Sequence, residues 1–133
     1  MDYTKLIKTA FEAREKSYSP YSGFQVGAAL LDANGKIHTG CNIENSSFSM
    51  TICAERTAFF KAISEDIKDF TAIAIVGGKK DGEIDFCPPC GACRQVMSEF
   101  CNSDNFKIIL AVSENEYKVL SLYEIFPLTF ELK

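Results

Sequence analysis

The chain has 133 residues, of which 47% are hydrophobic and 24% charged, enough apolar material for one domain with its own core and too much for disorder. The net charge is −4 with Lys and Arg scattered, so the basic stripe of a polynucleotide-gripping protein is missing, and no apolar run approaches bilayer-spanning length. The expectation is a single cytoplasmic domain over residues 1–133, with no signal peptide, no nucleic acid and no membrane, acting on a small and largely uncharged substrate. Six cysteines stand at 41, 53, 87, 90, 93 and 101; without an export signal, clustered cysteines point to metal or chemistry before disulfides.

In chain order, residues 3 to 16 are expected to form a helix with Tyr3, Leu6, Ala10 and Ala13 on one side. The stretch from Ser17 to Gly23, with Pro20 and Gly23, breaks it. Phe24 to Asp32 is small and apolar on both faces, as a buried strand should be. Asn34-Gly35 predicts a hairpin, because such turns require positive φ. Lys36 to Asn42 alternates, suggesting a strand with one wet face that would expose His38. Ile43 to Thr51 is a polar loop, long for a mere connector, and loops of this kind carry binding groups.

Thr51 is the expected N-cap of a helix from about Cys53 to Ser64. Phe70 to Val76 is a buried strand, Gly77 to Pro89 a loop, and Cys90 to Phe100 a third helix with Val96, Met97 and Phe100 inward. Strands at Lys107 to Val112 and Glu116 to Leu120 and a helical turn at Leu122 to Phe126 complete a mixed sheet between helices.

Two stretches carry the chemistry. Cys53-Ala54-Glu55-Arg56 opens one helix, and Pro89-Cys90-Gly91-Ala92-Cys93-Arg94 opens another. Cys90 and Cys93 are three apart, so one helical turn aims both sulfurs at one point. If the two helix starts face each other, three thiolates converge, held deprotonated by both helix dipoles. Three cysteines with a nearby non-ligand carboxylate fit a catalytic zinc, whose fourth position is left to water. Glu55 could then move the proton. Three thiolates overcompensate Zn²⁺, and a guanidinium donating to sulfur would draw charge off; Arg56 is expected in that role, with Arg94 similarly placed in sequence.

Cys53-Ala54-Glu55 followed by Pro89-Cys90-Gly91-Ala92-Cys93 resembles the zinc deaminase signature in its all-cysteine form. Tyr18 to Leu30, Gly40 to Asn45, Cys53 to Ala58 and Gly91 to Gln95 extend the likeness over nearly the whole chain, and it resembles the small homotetrameric cytidine deaminases of pyrimidine nucleoside salvage. The resemblance implies a three-layer α-β-α sandwich on a five-stranded mixed sheet. It implies one Zn²⁺ per chain on Cys53, Cys90 and Cys93. Zinc-bound hydroxide would attack C4 of cytidine or 2′-deoxycytidine while Glu55 shuttles the proton. It also implies substrate contacts from Phe24, Asn42, Glu44, Asn45, Phe48, Ala54 and Phe130, with Asn42 and Glu44 holding ribose hydroxyls and sites shared between subunits of a homotetramer. Three positions depart from the family pattern: Phe48 stands where Tyr is common, Phe126 where Leu is, and Cys87-Pro88 where a cysteine is unusual and Ser precedes the Pro.

Other readings remain open at this point. Another cytosine compound could be the substrate, such as an aminoacylnucleoside antibiotic or a base in polynucleotide; Asn42-Ile43-Glu44-Asn45 favours a ribose and the acidic balance disfavours nucleic acid. Cys87 could complete a four-cysteine site in which zinc only supports the fold and Glu55 is idle. Cys41 and Cys101 read as core thiols and Cys87 as a loop thiol.

Overall fold

The computed structural model describes residues 2–132. Helix α1 spans Thr4–Arg14, followed by strands β1 (Phe24–Asp32) and β2 (Ile37–Cys41). After a 3-10 turn at Phe48–Met50 come α2 (Ala54–Ser64), β3 (Phe70–Lys79) and β4 (Ile84–Asp85). Helix α3 (Gly91–Phe100), β5 (Lys107–Ala111), β6 (Tyr117–Ser121) and α4 (Leu122–Ile125) close the described chain.

Five strands lie in the order β2-β1-β3-β5-β6, and the two-residue β4 pairs with β3 outside that path, making the sheet six-stranded. Only β3 and β5 run parallel; a parallel pair needs a crossover, and α3 lies in that connection. The central strands are buried on both faces, so their side chains alternate between two cores. Ala29, Ala72, Ala74, Val76, Ile109 and Ala111 meet Leu6, Ile7 and Ala10 of α1. Ala28, Leu30, Ile73, Ile75, Ile108 and Leu110 meet Ala54, Ala58, Phe59 and Ala62 of α2, Met97 of α3 and Leu122 of α4. The layering is therefore α-β-α as expected. Phe59 meets Phe70 edge-on at 5.1 Å between centroids, a pairing that adds roughly 0.5–1.5 kcal/mol to its area burial.

The small residues of β2 position the site. A Cβ on Gly40 would collide with the Ala54 carbonyl and the Ala58 amide of α2, so only glycine lets that helix settle on the sheet. At the other layer, Arg14 is buried and donates to the carbonyls of Gln25 (3.1 Å), Gly78 (3.0 Å) and Lys79 (2.9 Å), tying the end of α1 to β1 and β3.

Several expectations are corrected. Helix α1 ends two residues earlier than predicted. Gly77-Gly78 does not break β3, because β1 pairs with both residues and Arg14 satisfies the Gly78 carbonyl. Val96 and Phe100 are only half-buried. In the hairpin, Gly35 has positive φ and Asn34 does not; the Asp32 carboxylate instead accepts from the amides of Asn34 and Lys36. His38 is 3% exposed, not wet: its Nε2–H donates to Asp32 Oδ2 at 2.9 Å, which satisfies the ring in the interior. Thr51 does not cap α2. Cys53 holds the N-cap position without a side-chain capping bond, while Thr51 Oγ1 accepts from the Asn45 amide.

Candidate metal centre and active site

Two helix starts meet at one corner of the sheet. Cys53 is the N-cap of α2, Cys90 the N-cap of α3, and Cys93 lies in the first turn of α3. Because no capping bond engages Cys53 or Cys90, both thiols are free to face each other. Cys53 Sγ lies 3.7 Å from Cys90 Sγ, and Cys90 Sγ lies 3.5 Å from Cys93 Sγ. All three sulfurs fall within 4.8 Å of one another. Tetrahedral zinc with sulfurs at about 2.3 Å requires S···S separations of about 3.8 Å, so the two pairs through Cys90 already match the metal's geometry. None of the six cysteines forms a disulfide.

Among the described residues no fourth Cys, His, Asp or Glu joins the group, Cys87 included. That is the donor set of an open site, and it removes the four-cysteine reading. Arg56 Nη2 donates to Cys53 Sγ at 3.4 Å, as the sequence reading expected. Arg94 does not share this role: its Nη1 donates to the Ile125 carbonyl at 2.9 Å, away from the sulfurs. Hydrogen bonding with Cys93, and then Arg56, brings the Cys53 thiol down to about 5, against the opposing effect of burial. Cys93 is pushed the other way, first by the bond it shares with Cys53.

Glu55 follows Cys53 by two residues and is 4% exposed. Burial raises its carboxyl to about 7, and the Cys53 charge adds to the rise. A buried carboxyl beside a metal cluster, poised near neutrality, is equipped to take and return a proton.

A second cluster forms at the start of β1. Asn42 Oδ1 accepts from the Val26 amide (2.9 Å) and the Ser17 hydroxyl, and Asn42 Nδ2 donates to the Phe24 carbonyl at 2.8 Å. Glu44 is 5% exposed and accepts from the amides of Tyr21 (3.0 Å) and Ser22 (3.1 Å) and from the Ser22 hydroxyl. These bonds, the Ser22 hydroxyl's first, hold its carboxyl below the usual range. Asn45 is exposed and accepts from the Ser47 amide.

Cys87 and Gly77 link the two clusters, and only Cys87 was singled out by sequence, through its departure from the deaminase pattern. A Cβ on Gly77 would lie 2.8 Å from Cys87 Sγ and 3.2 Å from the Phe24 ring, so the bare glycine lets ring and thiol approach across β3. The Cys87 thiol is pushed up to about 11 by burial, then by the charges of Glu55, Cys53 and Cys90 around it. Phe24 is thus on the wall that faces the metal corner. Ala54 is fully buried at the start of α2, its carbonyl against Gly40. Phe48 (61% exposed) and Phe130 (64% exposed) present their rings to solvent, and Phe130 lies against α3 through Gln95.

The family model for the cytidine and deoxycytidylate deaminase zinc-binding region matches residues 1–108. The chain belongs to this family. A cytidine deaminase of Halalkalibacterium halodurans is 49% identical over 130 residues, covering 98% of this chain and 95% of its own. One from Sporosarcina psychrophila is 58% identical over 102 residues, 77% of this chain and 72% of its own. The crystal structure of the cytidine deaminase from Burkholderia pseudomallei superposes with a TM-score of 0.87 at 42% identity, covering 98% of this chain and all of that one. As in the zinc-binding deaminases, the three thiols of this corner hold one zinc per chain.

Proposed function

We propose that this chain hydrolyses free cytidine, and 2′-deoxycytidine, to uridine or 2′-deoxyuridine and ammonia. The observation that carries the reading is a buried Glu55 beside a three-thiolate cluster that has no fourth protein ligand. Bound there, zinc supplies a Lewis acid that lowers the pKa of water to near neutrality.

Glu55 takes the proton shed by the attacking water as its oxygen bonds to C4, and hands that proton to N3. It then takes the remaining proton from the new C4 hydroxyl and delivers it to the exocyclic amine. The C4–N bond breaks, ammonia leaves, C4 becomes a carbonyl, and Glu55 is again a carboxylate. Phe24 offers its ring to the pyrimidine. Asn42 and Glu44 face the ribose, with their orientations set by Val26, Phe24, Tyr21 and Ser22.

The single domain works in the cytoplasm as a homotetramer in pyrimidine salvage. Phe48, Met50 and Phe130, all more than half exposed, support association, since large exposed apolar side chains favour contact with a partner. No described helix is long and apolar enough to cross a membrane.

The deciding experiment is ammonia release from cytidine by the wild type and by Glu55→Gln, with zinc counted in both. A variant that keeps one zinc per chain and loses about 10²–10⁴ in kcat supports the reading. Zinc-loaded wild type that releases no ammonia overturns it.

A further inference from the structure

Arg94, the residue after the Cys-x-x-Cys, has a placement that the metal does not explain. It directly follows the buried Cys93, yet its guanidinium turns toward the end of the chain. Nη1 donates to the carbonyl of Ile125, the last residue of α4, at 2.9 Å, and Cζ stands 5.8 Å from the centroid of the Phe126 ring. Its Nε is buried without a hydrogen-bond partner, so the side chain is held by this one carbonyl and this one ring. One residue further on, Gln95 Nε2 donates to the Phe130 carbonyl at 3.0 Å.

The start of α4 is firmly set. Ser121 and Glu124 form a capping box, and Leu122 is fully buried in the core. Beyond α4 residues 126–132 have no helix or strand, and Leu128, Phe130 and Leu132 are 88%, 64% and 90% exposed. Phe126 is half-buried against the core, and beyond it the exposed residues 127–132 take their direction from the two side chains of α3. A charge-assisted bond plus a ring contact from one planar guanidinium fixes direction as well as distance, which the point charge of a lysine cannot do.

We propose that Arg94 is a positioning residue: it sets the course of residues 126–132, and so the presentation of Phe130, from the helical turn that carries Cys93. Its effect on turnover rests on the proposed role of Phe130 as a substrate contact.

The test uses the zinc-loaded full chain as wild type, Arg94→Gln, Arg94→Lys, Phe130→Ala and the Arg94→Gln/Phe130→Ala double variant. Chymotrypsin cleavage after Leu128 and Phe130, followed by intact mass, reads the segment directly. Both Arg94 variants should keep one zinc per chain, be cleaved at least about 5-fold faster, and raise the cytidine KM by about 5–10-fold with kcat within about 2-fold. The double variant should be no worse than Phe130→Ala alone, because one residue acts through the other. Unchanged cleavage, loss of zinc, or KM effects that multiply in the double variant would each overturn the proposal. If Phe130→Ala leaves KM unchanged, the substrate role of Phe130 falls, and the cleavage rates alone decide whether Arg94 directs the segment.

Discussion

Arg56 Nη2 donates to Cys53 Sγ at 3.4 Å, from the same first turn of α2 that Cys53 caps. The bond draws charge from one sulfur of a trio that overcompensates Zn²⁺. Removing it leaves the metal poorer as a Lewis acid and Cys53 less prone to ionise. Arg56→Ala is expected to weaken zinc affinity by about 10–100-fold, measured by chelator competition, and to lower kcat at saturating zinc. Unaltered affinity together with unaltered kcat would reduce Arg56 to a bystander.

The thiols at this corner are not equivalent. Cys93 is one of three sulfurs within 4.8 Å of each other, whereas Cys87 stays outside the group beside Gly77 and Phe24. Cys93→Ser should lose zinc and all turnover. Cys87→Ser should keep one zinc per chain and show its effect in KM, since the thiol shares a wall with Phe24. Zinc counting on the two purified variants checks this, and a Cys87→Ser protein without metal would restore the four-cysteine reading.

Asn42 serves the scaffold as well as the proposed ribose site. Its amide satisfies the Val26 N–H and the Phe24 carbonyl at the start of β1. Asn42→Ala leaves the part-buried Val26 N–H without that partner, while the exposed Phe24 carbonyl can turn to water, and should cost about 1–3 kcal/mol in urea unfolding of the zinc-loaded enzyme, besides raising the cytidine KM. An unchanged unfolding midpoint would show that water replaces the amide.

The metal corner was legible because a Cys-x-x-Cys at a helix start brings Cys90 and Cys93 to one side, and because Cys53 and Glu55 sit at a second helix start. The sheet was legible because Phe70 to Val76 and Lys107 to Val112 are near-continuous apolar runs, as strands buried between two cores must be. What the chain did not reveal depends on partners that lie outside the local element. His38 alternates with Ile37 and Thr39 as an outward residue would, and only the Asp32 carboxylate makes its burial tolerable. Thr51 has the chemistry of a cap but is taken up by the amide of Asn45, six residues earlier in the same loop. Arg56 and Arg94 each follow closely on a cysteine that caps a helix, and nothing local says that the first turns to sulfur and the second to the Ile125 carbonyl.

The buried pair of Asp32 and His38 makes a prediction about acid stability, remote from the metal. Both side chains are 2% exposed, and the Asp32 carboxyl is held below its ordinary value, first by the His38 hydrogen bond and then by the amides of Lys36 and Asn34. A carboxyl whose folded pKa is depressed binds fewer protons folded than unfolded, so its contribution is complete above the unfolded value of about 4 and is lost as pH falls toward the folded one. Asn in its place keeps an acceptor for the two turn amides but has no charge to lose. The carboxylate's share of the stability gap between wild type and Asp32→Asn should therefore shrink as pH falls below about 4. Urea unfolding of both proteins at matched pH measures that gap directly, and the loss of zinc at low pH affects the two alike. A gap that stays constant down to pH 3 would mean that the carboxylate is not what holds His38 in the interior.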